Sequence, residues 1–217
     1  MGVVSTEAAP ESALERTWWF RAGAVLVAPH AVFVTLRDDS SEAAEARQEP
    51  ILLIAGLAGI AGVLGTSTFR SALNDGSVSM GLVAVLAFFA GAVYALAVYW
   101  LGGGLLYRAA RRLGGEGSWR RSRHVLALAA TPLALSLLTL WPVRIAVYGT
   151  DLFRTGGDDY GRGDAIFGGI NYAVIAWSVL LLVVGVRSVH GWTWARAAAT
   201  VALAAVVPVL VALAATV

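Results

Sequence analysis

The side chains with chemical potential fall into three groups. His30, His124 and His190 are the histidines of the chain. Three imidazoles can hold zinc, but these positions give no ligand spacing, so each is read as an interfacial side chain. Asp151, Asp158, Asp159 and Asp164 share the stretch GTDLFRTGGDDYGRGDAIF (149–167). Carboxylates among glycines can bind calcium. The EF-hand order is absent, however, and a solvated, turn-rich loop accounts for the composition. The Arg-Gly-Asp triplet at 162–164 is too short to carry information. The third group is RAARRLGGEGSWRRSR (108–123), with six arginines in sixteen positions. There is no cysteine, so disulfides, thiolate catalysis and cysteine-ligated metals are excluded. No metal or cofactor site is expected.

The elements around these groups are apolar. Of 217 residues, 58% are hydrophobic and 14% charged, against roughly a quarter charged in soluble domains. No Asp, Glu, Lys or Arg occurs in 51–69, 76–107, 124–143, 165–186 or 197–217. A helix crosses the hydrocarbon core with roughly 20 mostly apolar residues, and each window is long enough. A soluble fold would need amphipathic helices to cover five apolar ones, and no such sequence is left over. The fold class is therefore all-α, a polytopic membrane protein. Five transmembrane helices (50–69, 80–106, 124–143, 166–187 and 196–216) form a unit over 50–217, preceded by a cytosolic segment, 1–49. The first 20 residues are polar, without a basic start and apolar core, so a cleavable signal is not expected.

Arginine supplies every positive side chain: four in 1–50, one in 67–79, six in 108–123, three in 144–162 and two in 187–196. Alternate connections share a side, which sets twelve arginines against four. Arginine-rich short loops stay cytoplasmic. The N-terminus is thus expected inside the cell membrane and the C-terminus outside. Arg111, Arg112, Arg120, Arg121 and Arg123 are expected at the anionic headgroups of the inner leaflet. Nucleic acid is not an expected partner, because no folded domain presents the patch.

Ahead of the first span, Ser12-Ala-Leu-Glu15 reads as a capping box. Leu14, Trp18, Ala22, Val25 and Leu26 then recur at helical spacing. This predicts a helix over about 12–27 lying in the inner interface, with Trp18 and Trp19 at headgroup level. Pro29 opens a second short helix whose Val32, Phe33 and Leu36 share a face. Residues 38–49 read as an acidic linker or short helix, and Pro50 opens the first span.

Within that span Gly56, Gly59, Gly62 and Gly65 recur every three residues, and Ala55/Gly59, Ala58/Gly62 and Ala61/Gly65 make small-xxx-small pairs, a face suited to close helix packing. Gly102, Gly103 and Gly104 permit a bend or tight packing at the end of the second span. Pro132 and Pro208 predict kinks, and the third span is expected to end near Trp141-Pro142. Thr131, Ser136, Thr139 and Ser178 are expected to bond backbone carbonyls one turn back. The expected span centres hold no Asp, Glu, Arg or His, which argues against ion-coupled transport and intramembrane hydrolysis. Asn171 is the most polar group near a span.

The order of these features resembles a known family. Pro29 and Phe33 precede five spans, the second span runs into LGGEGSWRRSRHVLALAATPLAL (113–135), and GVRSVHGWTWARA (185–197) joins the last two. This is similar to the prokaryotic, five-helix members of the Yip (Ypt/Rab-interacting protein) domain family. Arginine without lysine, and abundant alanine, glycine and valine, suit a GC-rich prokaryotic source. The resemblance implies a cytosolic N-terminus and brings no catalytic motif. Eukaryotic relatives bind Rab GTPases in vesicle trafficking, but this chain lacks their long cytosolic tail. The expected function is a non-enzymatic membrane protein that organises membrane or partner proteins. A transporter or lipid-translocating protein is the alternative.

Overall fold

The computed structural model describes residues 11–66, 68–69, 73–74, 79–153 and 162–214. Among them there are helices and turns and no strand. Helices α1 (Glu11–Ala24), α2 (Pro29–Thr35) and α3 (Ser41–Glu45) precede α4 (Gln48–Leu64). Helix α5 (Met80–Ala97) passes through a π-helical turn, Val98–Gly102, into α6 (Gly103–Arg112). Then follow α7 (Trp119–Ala129), α8 (Thr131–Tyr148), a 3-10 turn (Gly149–Phe153), α9 (Arg162–His190) and α10 (Trp194–Ala214).

Among the described residues, five helical stretches are long and apolar enough to cross a membrane: Ser41–Leu64, Met80–Arg112, Trp119–Tyr148, Gly163–His190 and Trp194–Val211. The apolar runs therefore become helices as expected, with altered ends. The second stretch carries its basic residues on the same helix, out to Arg112. The third does not stop at Trp141-Pro142; α8 contains Pro142 and continues to Tyr148. Pro132 sits in the first turn of α8, just after a break at Ala130. There its missing N–H has no intrahelical partner to lose, so the expected kink takes the form of a helix boundary.

The N-terminal helices dock onto the bundle. Trp18 and Ala22 of α1 with Val25 just after it, and Val32 and Phe33 of α2 with its C-cap Leu36, join a core with Ile51, Ile54, Leu128 and Val186. Phe33 is fully buried. A Cβ at Gly185 of α9 would come within 3.0 Å of its ring, so glycine there is what admits it. Trp18 was expected at headgroup level with Trp19. It is instead 4% exposed inside the protein, while Trp19 and Phe20 face outward. Among the described residues α1 starts at Glu11, ahead of Ser12; the side chains of the Ser12–Glu15 capping box lie outside the described set. A second core at the opposite end gathers Leu64, Leu73, Ala87, Trp141, Leu152 and Phe153.

Candidate functional site

The arginine-rich segment is built on two glycine turns. After α6, Gly114 adopts φ +76° and the Gly115 N–H donates to Ala110 O at 2.8 Å. After α9, Gly191 adopts φ +66° and the Trp192 N–H donates to Arg187 O at 3.1 Å. Both are helix ends closed by a left-handed residue and a bond back across the last turn. Arg196 ties the turns together, donating to Leu113 O from Nε at 2.9 Å while its guanidinium lies 4.1 Å from the Trp192 ring centroid. Gly-Gly-x-Gly-Ser and His-Gly, read from the sequence as separate features, are thus two halves of one structure.

Beside this turn pair lies a charge cluster that sequence reasoning missed. Arg47, directly before α4, is fully buried. Its Nε donates to His124 Nδ1 at 2.9 Å and one terminal nitrogen to Asp38 O at 2.8 Å. Its other terminal nitrogen stands 3.6 Å from Asp39 Oδ1, in ion-pair range. Asp39 also faces Arg120 Nε at 3.3 Å and Arg121 Nε at 3.9 Å. Arg120 donates to Asp39 O, and Arg121 to Arg37 O at 2.8 Å. Arg37 in turn donates from Nε to Ser188 O at 3.0 Å, and His30 Nδ1 pairs with Ser188 Oγ at 2.8 Å. The cluster straps the 37–47 segment across the ends of α7 and α9. Next to it, the Ser40 N–H bonds Asp38 Oδ1 at 3.1 Å and holds that carboxyl below the usual aspartate range.

The five arginines expected at headgroups therefore divide. Arg120 and Arg121 turn to Asp39 and the 37–39 backbone. Arg123 lies 3.8 Å from the Trp100 ring centroid, with Tyr99 and Trp119 at 5.1 and 5.7 Å. A Cβ at Gly103 would run into Arg123, so the glycines after the π turn let α7 lie against the second span. Arg111 and Arg112, with Arg108, are exposed on α6 opposite its buried Leu106, Ala109 and Ala110, and make no ion pair among the described residues.

The histidines part company too: His30 meets Ser188, His124 meets Arg47, and His190 stacks on Trp192 at 4.4 Å. No group of three potential metal ligands occurs among the described residues. At the other end, Arg144 of α8 pairs with Asp164 of α9 at 2.9 Å, with the Trp141 and Phe167 rings 5.6 Å away. Asp151 lies in the 3-10 turn, and Asp158 and Asp159 fall outside the described residues.

The glycine face of α4 is uneven. A Cβ at Gly59 would come within 2.5 Å of Gly91 O on α5, and one at Gly91 within 2.6 Å of Ile60. At Gly62 it would meet the Tyr94 ring at 2.9 Å, at Gly65 only ordinary contacts, and at Gly56 nothing within 4 Å. The same face borders a cavity of about 440 Å³ between α4, α5, α7 and α9. Alanines and glycines line it, with Leu133, Leu182, Tyr94, Asn171 and Ser178. Thr131, Ser136 and Thr139 bond backbone carbonyls as expected. Ser178 does not: its buried hydroxyl has no hydrogen-bond partner among the described residues.

Five apolar helices and a strapped, basic end define a polytopic all-α integral membrane protein. The model of the Yip1 domain matches residues 23–216, and the chain belongs to that family. Neither the curated proteins nor the solved structures contain a match.

Proposed function

We propose that this Yip-family integral membrane protein is a non-catalytic organiser, which holds a rigid basic platform at the cytoplasmic membrane surface and meets anionic headgroups and a protein partner there. The observation that carries this reading is the division of the arginines. Arg47, Arg120 and Arg121 are spent internally on Asp39, which fixes the N-terminal helices to the bundle. Arg108, Arg111 and Arg112 form an exposed stripe on α6. Each such arginine near an anionic surface contributes on the order of 1 kcal/mol. The arginine count between alternate connections supports placing this end in the cytoplasm.

The test is replacement of Arg108, Arg111 and Arg112 by glutamine in protein reconstituted into phosphatidylcholine vesicles containing phosphatidylglycerol. Energy transfer from the protein to labelled phosphatidylglycerol should fall toward that of labelled phosphatidylcholine. Arg120→Gln should leave the transfer unchanged and lower thermal stability instead. Equal transfer with and without the stripe would remove headgroup contact from the proposal.

A further inference from the structure

The cavity beside α4 carries a proposal of its own, independent of the platform reading. Its lining on α4 and the turn that follows runs from Ala55 to Thr66, and on α9 from Asn171 to Leu182. Eleven helical steps at 1.5 Å make it about 16 Å long, parallel to the helix axes. Its volume, about 440 Å³, lies in the range of sites that take one small molecule. Long, narrow and apolar, it suits a single chain. Tyr94 and Val98 on one side, and Ile175 and Val179 on the other, line both the cavity and the outer surface. The cavity therefore opens sideways, toward what would be the hydrocarbon of a bilayer.

Two polar groups fix the chemistry of the occupant. Ser178 is 8% exposed, and its hydroxyl is buried against the cavity with no partner among the described residues. Asn171, two turns away on the same face of α9, is half-buried and has no hydrogen bond among the described residues. A buried polar group left unpaired costs about 1–3 kcal/mol, so a bare hydrocarbon tail would leave that cost standing at Ser178 and give the half-buried Asn171 amide no partner. No charged side chain lines the cavity, so a phosphate or ammonium head has no counter-ion there. We infer that the cavity is a binding site for an uncharged single-chain lipid, whose hydroxyl or carbonyl oxygens bond Ser178 and Asn171 while its chain lies along Ala55, Ala58 and Leu133.

A matched pair of probes tests this. Full-length protein in phosphatidylcholine vesicles is photolabelled with a monoacylglycerol carrying a diazirine in its chain, and separately with lysophosphatidylcholine carrying the same chain. Labelled residues are mapped by peptide mass spectrometry. Ala58 and Ala127 are buried and line the cavity, whereas Leu138 is exposed on α8. The monoacylglycerol should label Ala58 and Ala127, and the lysophosphatidylcholine only outward residues such as Leu138. Ser178→Ala and Asn171→Leu should each cut the cavity labelling about threefold to tenfold, the effect of one lost hydrogen bond, and leave Leu138 unchanged. Ser178→Ala should not lower thermal stability, because the hydroxyl it removes has no partner among the described residues. Equal cavity labelling by both probes would overturn the assignment to an uncharged head. Labelling confined to the outer surface, or replaced by cross-links between two copies, would overturn a lipid site altogether.

Discussion

Arg47 and His124 lie 77 residues apart in sequence and share a 2.9 Å hydrogen bond in a fully buried site. Because the guanidinium Nε donates, His124 Nδ1 is the acceptor and the ring proton resides on Nε2, which has no partner among the described residues. The bond joins the residue directly before α4 to the first turns of the third membrane-crossing stretch. Asp39 supplies the compensating charge, and Arg120 and Arg121 hold Asp39 in turn. The strap from 37 to 47 is therefore a unit in which removing different members has unequal effects.

Asp39→Asn should destabilise the protein more than Arg47→Met. The first leaves Arg47 as a buried cation without its carboxylate. Breaking a buried pair from one side costs about 3–5 kcal/mol, and the 15% exposure of Asp39 places this case at the lower end of that range. The second removes the buried charge itself and leaves Asp39 facing Arg120 and Arg121. Thermal unfolding in a mild detergent measures both, and the reverse order would remove Asp39 from the role of counter-ion.

The glycines of α4 give a second contrast. Gly59→Ala forces a methyl group against the Gly91 carbonyl and Ala95 of α5, and overpacking of this kind costs about 1–3 kcal/mol. Gly56→Ala meets nothing within 4 Å and removes the weak helix propensity of glycine, a gain of up to about 1 kcal/mol. Unfolding midpoints should move in opposite directions. Parallel losses would show that the face packs as a continuous stripe.

The five spans and the helical class were legible because uncharged windows of sufficient length have no other stable arrangement. The Val32–Phe33–Leu36 face was legible from spacing for the same kind of reason: helical period places those residues together. Partners across the bundle were not. Trp18 has the composition of an interfacial residue, and only the docking of α1 beside Arg47 makes it core. Arg144 looked like the end of the third span because it is charged, yet Asp164 pairs with it and the helix runs on to Tyr148. Arg120, Arg121 and Arg123 were indistinguishable from Arg111 and Arg112 in the sequence. Charge type and spacing assign a side of the membrane; they do not say which guanidinium a neighbouring helix will claim.

Orientation yields a third prediction. With the arginine-rich turns in the cytoplasm, Ser118→Cys should resist an impermeant thiol reagent in intact cells and react after permeabilisation. Asp159→Cys should react from outside. The chain has no native cysteine, so the background is clean. Labelling of the first variant from outside would invert the proposed topology.

The last prediction separates arginines that build the protein from those that face its surroundings. Arg123 lies over Trp100 at 3.8 Å, and the Trp100 and Trp119 rings meet edge to face at 5.7 Å. A cation over an indole contributes about 0.5–2 kcal/mol, more where water is excluded, and an aromatic pair adds about 0.5–1.5 kcal/mol. Arg123→Met keeps much of the aliphatic stem and removes the cation. It should lower the unfolding free energy by about 1–2 kcal/mol and change the near-ultraviolet circular dichroism of the tryptophans. Arg123→Lys should restore part of both, since an ammonium keeps the charge without the flat guanidinium face. Arg111→Met and Arg112→Met, on the exposed side of α6, should leave stability within about 0.5 kcal/mol and the tryptophan signal unchanged. An Arg123→Met protein with unaltered dichroism and stability would show that the stack does not hold α7 against the second span, and would return Arg123 to the set of arginines free to meet the membrane surface.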